Sequence, residues 1–105
     1  MGIVGQFYLK ETSNGNIVGE FSNNLSDGIY SMSGDLLDGE GGFIGTYRVT
    51  WREKNEGIFT YLNISYLYDN NKLFKLTWTD SKKKELFEGE GMLCDDALIG
   101  NYRSS

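Results

Sequence analysis

Phe43-Ile44-Gly45-Thr46-Tyr47-Arg48 returns later in the chain as Leu98-Ile99-Gly100-Asn101-Tyr102-Arg103, with four of the six residues identical at an offset of 55. The offset is about half of the 105-residue chain, so the sequence reads as one unit written twice, residues 1–50 and 51–105, within a single domain. Inside each copy, Gly and Tyr alternate with Thr, Asn and Arg. That is the period of a strand with one buried face.

Working outward from the pair, the same alternation covers most of the chain. Strands are expected at residues 3–11, 17–22, 29–35, 43–52, 58–68, 72–79, 85–93 and 97–103. Between them lie turn-forming stretches. Asn14-Gly15 suits positive φ at both central positions of a hairpin. Residues 36–42 are rich in Asp, Glu and Gly and read as a turn, as do 53–57, 69–71, 80–84 and Asp95-Asp96. No segment carries a helical apolar stripe. The expected fold class is therefore all-β, an eight-stranded antiparallel up-and-down meander. Left open, such a sheet has two raw edges; closing it removes both and gives a small barrel, with a flattened two-sheet sandwich as the alternative.

The duplication settles which side of the fifth strand faces in. An offset of 55 lays Ile3, Phe7 and Leu9 on Ile58, Leu62 and Ile64, so Ile58, Thr60, Leu62, Ile64 and Tyr66 are expected inside. A shorter echo, Tyr47 to Trp51 against Phe74 to Trp78, would choose the opposite face; it aligns fewer elements.

Composition excludes more chemistry than it suggests. There is no histidine, which removes the commonest general base and zinc ligand, and with it the usual triads. The single cysteine, Cys94, forms no disulfide framework and reads as a small buried thiol. The carboxylates around Asp35, Asp38 and Glu40, and around Glu88, Glu90, Asp95 and Asp96, match no calcium loop and read as solvated faces. A net charge of −5 repels phosphate backbones, so no nucleic acid is expected as a partner, and Lys82-Lys83-Lys84 reads as a hairpin turn. With no secretory leader and no apolar run of membrane length, a cytoplasmic protein with no membrane partner is expected. No enzyme activity, cofactor or metal is expected.

The aromatics carry the functional reading. Tyr30, Tyr47, Trp51, Tyr66, Trp78 and Tyr102 point into the expected interior. Rings in that position either fill the barrel as core or clasp a flat ligand, with the Tyr hydroxyls and Thr60 fixing its orientation. The leading expectation is a non-enzymatic barrel holding a small apolar or aromatic molecule. The alternative is a protein-interaction module, an inhibitor or regulator, working through its outer face or loops. That face is also apolar in places: Val4, Tyr8, Val18, Ile44, Phe59, Tyr61, Leu73, Leu86, Met92 and Ile99 point outward. Ile44, Phe59 and Tyr61, on neighbouring strands, are the candidate interface of a homodimer.

Gly5-Gln6-Phe7 in the first strand and Tyr102-Arg103 in the last resemble the calycin group, which includes lipocalins and avidins. Lipocalins carry Gly-x-Trp in the first strand and a basic residue near the end that packs over that Trp. Phe7 stands here at the Trp position and Arg103 would be the basic partner. The Ile-Gly-Thr-Tyr and Ile-Gly-Asn-Tyr pieces look like the Gly-x-Tyr strand pieces of avidins. The resemblance implies a calycin-like barrel.

Overall fold

The computed structural model describes the backbone of residues 2–51, 59–67 and 70–105, with the side chains of all of these except Trp51, Phe59, Asn70 and Asn71. The expected turn at 53–57 and the inward placements of Ile58 and the Trp51 side chain lie outside the described residues. So does the Phe59 side chain.

Eight antiparallel strands follow one another around a closed barrel: β1 (Val4–Glu11), β2 (Ile17–Asn23), β3 (Tyr30–Gly41), β4 (Ile44–Trp51), β5 (Phe59–Leu67), β6 (Asn70–Thr79), β7 (Glu85–Cys94) and β8 (Ala97–Ser104). The last strand closes on the first, with Val4 opposite Arg103, Phe7 opposite Gly100 and Lys10 opposite Ala97. Closure leaves neither end of the meander as a raw edge. The core is the inner face of every strand, with Leu9, Ile17, Tyr47, Val49, Leu62, Leu76 and Leu98 fully buried. On β5, Thr60, Leu62 and Ile64 are buried while Asn63 and Ser65 are exposed, which is the face chosen by the longer offset.

Both copies of the opening stretch lie on strands that pass close to their neighbour. A Cβ at Gly45 would sit 2.7 Å from the Asp38 carbonyl oxygen, and one at Gly100 would sit 2.0 Å from that of Glu90. Only glycine fits such an approach. Tyr47 and Tyr102, two residues on in each copy, are both buried.

Three turns differ from the sequence expectation, and in the least of them Asn70 and Asn71, expected in the turn 69–71, already belong to β6. At the first hairpin, Thr12 N donates to Asn16 O at 2.7 Å and Gly15 N to Thr12 O at 3.1 Å. Positive φ occurs at Gly15 (86°) and not at Asn14. Asn14 therefore occupies an ordinary turn position, and the loop is a three-residue one whose last residue is left-handed. The β6–β7 hairpin repeats this bonding. Asp80 N donates to Lys84 O and Lys83 N to Asp80 O, both at 3.0 Å, and Lys83 (φ 68°) stands where the first hairpin has glycine. Asp80 Oδ1 accepts from Lys82 N at 2.8 Å and Lys84 N at 2.9 Å, and these bonds hold its carboxyl below the usual range. The three lysines are exposed, as a hairpin turn requires.

The third correction is the largest. Residues 36–41 are strand, not turn. β3 continues to Gly41 beside β4 through register shifts between Leu36 and Asp38 and between Asp38 and Gly41. Acidic and glycine-rich composition marks bulges as readily as turns. Only Gly42 and Phe43 remain to make the connection.

Candidate functional site

Strand alternation places the candidate interior residues, and they separate into different parts of the barrel. Trp78 on β6 and Tyr102 on β8 face one another with ring centroids 5.9 Å apart. Phe7 packs edge-on against Trp78 at 5.9 Å, and Phe21 and Phe87 pack edge-on against Tyr102 at 6.3 and 5.7 Å. Tyr30, half-buried at the start of β3, leans on Phe21 at 5.5 Å, and its hydroxyl bonds Ser26 Oγ at 2.6 Å. These rings form one cluster toward the end of the barrel that carries both termini. Tyr47 lies toward the other end, near the β3–β4 turn, where its hydroxyl donates to the Phe43 carbonyl oxygen at 3.0 Å. Thr60 is buried on β5 opposite Val49.

Tyr66 is a correction. It keeps the parity of Ile64 but is 47 % exposed, because β5 is about to leave the barrel at the register shift after it. Its ring leans on Phe74 at the rim, 5.4 Å away.

The cluster fills its space. Between Phe7, Phe21, Met32, Trp78 and Tyr102 about 10 Å³ is left, at most the room one water needs. The Trp78 Nε1 donor is buried with no hydrogen-bond partner among the described residues. Of the candidate ligand-lining residues, Tyr47, Thr60, Trp78 and Tyr102 are buried in the core, Tyr30 is half-buried and Tyr66 is exposed.

The expected interface also resolves differently. Thr46 pairs with Asn63 and Arg48 with Tyr61, so Ile44, at the start of β4, lies well away from Tyr61 along the strands. The Asn63 Nδ2 to Thr46 Oγ1 bond, 3.0 Å, stands between them. Ile44 is itself half-buried against the core. The two do not make one patch, and the Phe59 side chain is outside the described residues.

An exposed apolar row lies instead on β7, β8 and β1. Met92 is opposite Ile99, and Ile99 is opposite Tyr8; they are 50, 39 and 38 % exposed. The row borders a shallow groove of about 500 Å³ that also meets Gln6, Ser22, Asn101 and Ile29. Glu20, opposite Tyr8 on β2, is the one charged side chain among its lining residues. Neighbouring charges are already matched. Arg103 bonds Glu88 at 2.7 Å and Glu90 at 3.0 and 3.2 Å, which raises the Arg103 pKa and holds the Glu90 carboxyl below its usual value. Lys10 lies 4.0 Å from Asp96. Tyr8, Met92 and Ile99 are each legible as outward-facing in the sequence; their meeting depends on the register of three strands, which alternation does not supply.

Cys94 is exposed at the end of β7, not buried, since it adjoins the two-residue turn into β8. Among the described residues no cluster of His, Cys, Asp and Glu could hold a metal ion. Compared with known proteins, the chain matches no family model, no curated protein and no solved structure.

Proposed function

We propose that this barrel is a non-enzymatic interaction module that docks another protein on its β7–β8–β1–β2 face. The observation that carries this reading is the Met92–Ile99–Tyr8 row, an apolar stripe across three strands beside a groove. Connected apolar surface of this kind marks an interface more often than scattered exposed residues do. A rigid closed sheet presents such a stripe with little ordering cost on binding. Glu20 sits at the stripe's edge with no ion pair among the described residues, so the matching surface is apolar with a Lys or Arg beside it.

The test is affinity capture from cells producing the tagged chain, run in parallel with Ile99→Asp. One stoichiometric protein partner lost on Ile99→Asp, and weakened by Glu20→Gln, is the expected result. A partner retained by Ile99→Asp, or none in either capture, overturns the reading. Sedimentation of the purified chain covers the remaining occupant: a dimer dissolved by Ile99→Asp would assign the face to a second copy.

A further inference from the structure

A buried ring that leaves makes room for a small molecule, and among the described residues one ring is placed to leave. Phe43 is 5 % exposed and packs edge-on against Phe74, with centroids 6.4 Å apart. Among the described residues, the other buried rings, those of Phe7, Phe21, Tyr47, Phe74, Trp78 and Tyr102, stand on strands paired on both sides. Phe43 stands in the two-residue turn between the paired residues Gly41 and Ile44.

That turn is costly for it. Gly42 and Phe43 have φ of 64° and 76°, the left-handed conformation at both central positions, and the second of these ordinarily takes glycine. A bulky side chain there is a strained residue, kept in place by what its ring and carbonyl touch. Two polar contacts outside the strand ladders hold the tip down. Tyr47 Oη donates to Phe43 O at 3.0 Å, and Gly42 N donates to Glu11 Oε2 at 2.8 Å, tying the tip to the end of β1. Lifting the tip breaks these two bonds and the Phe74 contact, relieves the strain and leaves the Gly41–Ile44 pair as its hinge.

We infer that residues 42–43 form a displaceable plug, and that the space beneath it takes a small neutral compound carrying a phenyl ring and a carbonyl oxygen. The chemistry follows from what the plug vacates. The ring's place is against Phe74. The carbonyl's place is at the hydroxyl of Tyr47, a fully buried side chain whose donor is left without an acceptor once Phe43 O departs. A carboxylate is disfavoured there, because the Glu11 carboxylate borders the same space and already acts on the Tyr47 hydroxyl. The site is separate from the outer groove and does not depend on the docking reading.

The test is titration of the ¹⁵N-labelled chain with phenylacetamide, phenylacetate and cyclohexylacetamide, following the Gly42 and Tyr47 backbone amides. Phenylacetamide is expected to give saturable shifts at both amides, with the other two at least about ten-fold weaker. Phe43→Gly, which suits the turn, should bind phenylacetamide at least about ten-fold tighter because no plug competes. Tyr47→Phe should weaken it. Binding by Phe43→Gly alone would overturn the displaceable plug, and equal binding of phenylacetate would overturn the ligand class. If Phe43→Gly does not fold, wild-type hydrogen exchange decides. Gly42 exchanging faster than the β4–β5 ladder amides supports local opening; exchange as slow as the ladder overturns it.

Discussion

Tyr102 donates its hydroxyl to the carbonyl oxygen of Ser22 at 3.0 Å, across 80 residues of sequence and over the top of an intervening strand. Tyr102 is on β8 and Ser22 on β2, and β1 runs between them. The ring can pass because β1 has glycine at the crossing. A Cβ at Gly5 would lie 2.8 Å from the Tyr102 ring and 1.9 Å from the Ser22 carbonyl oxygen. The bond therefore clasps the seam where the last strand closes on the first, and it joins the strands on either side of that seam.

Removing the clasp should loosen closure without emptying the core. Tyr102→Phe keeps the ring and loses one partly buried hydrogen bond, so a loss of about 1 kcal/mol is expected in urea unfolding. Gly5→Ala forces the ring and a backbone carbonyl apart and should cost about 2–3 kcal/mol. The double variant should cost less than the two together, since Gly5→Ala already displaces the hydroxyl. A Tyr102→Phe variant as stable as wild type would show that the bond contributes nothing to closure.

Lys83 is a position where stability is recoverable. It holds the left-handed place in a loop bonded like the Thr12–Asn16 hairpin, where Gly15 stands. Lys83→Gly should stabilise the fold by about 0.5–1 kcal/mol, the left-handed cost less the extra freedom of glycine in the unfolded chain. Lys83→Ala still pays the left-handed cost and should give no gain. Equal midpoints for Lys83→Gly and Lys83→Ala in urea would refute this account.

Burial pushes the Tyr47 hydroxyl up to about 12, with the Glu11 charge adding to the effect. Its ordinary value is 10.0, so between these two the folded state binds the proton more firmly than the unfolded chain does. The Tyr47 contribution is whole below about pH 10 and is lost as pH rises toward about 12. Unfolding midpoints measured from pH 9 to 12 should fall less steeply for Tyr47→Phe than for wild type. Parallel slopes would show that another group drives the alkaline loss.

The fold was legible because a closed meander repeats one simple signal. Alternation marks each strand, short polar breaks mark the turns, and the offset of 55 decided the side of β5 that alternation left open. What escaped was whatever depends on how strands slide past one another. Ile44 and Tyr61 both face away from the barrel axis in the sequence pattern, but register separates them, while register brings Tyr8, Ile99 and Met92 together. Residues 36–41 escaped because bulges and turns draw on the same amino acids. Tyr66 has the right parity at the wrong height, where the barrel wall ends. Phe43 reads as the first residue of a strand, and nothing local in the sequence announces a left-handed phenylalanine.

The unpartnered indole of Trp78 gives a prediction that separates packing from polarity. Trp78 and Phe7 touch edge-on, line the same small void and are both 2 % exposed. Trp78→Phe and Phe7→Leu each remove the same number of heavy atoms from that place, so their transfer and cavity costs are comparable. They differ in two respects: Trp78→Phe also removes the Nε1 donor that has no acceptor, and Phe7→Leu also removes a ring that packs edge-on against Trp78. An unsatisfied buried donor costs about 1–3 kcal/mol, and its removal offsets part of the packing loss. Urea unfolding should therefore find Trp78→Phe less destabilising than Phe7→Leu by about 1 kcal/mol or more. Equal losses would mean that the indole is satisfied in solution.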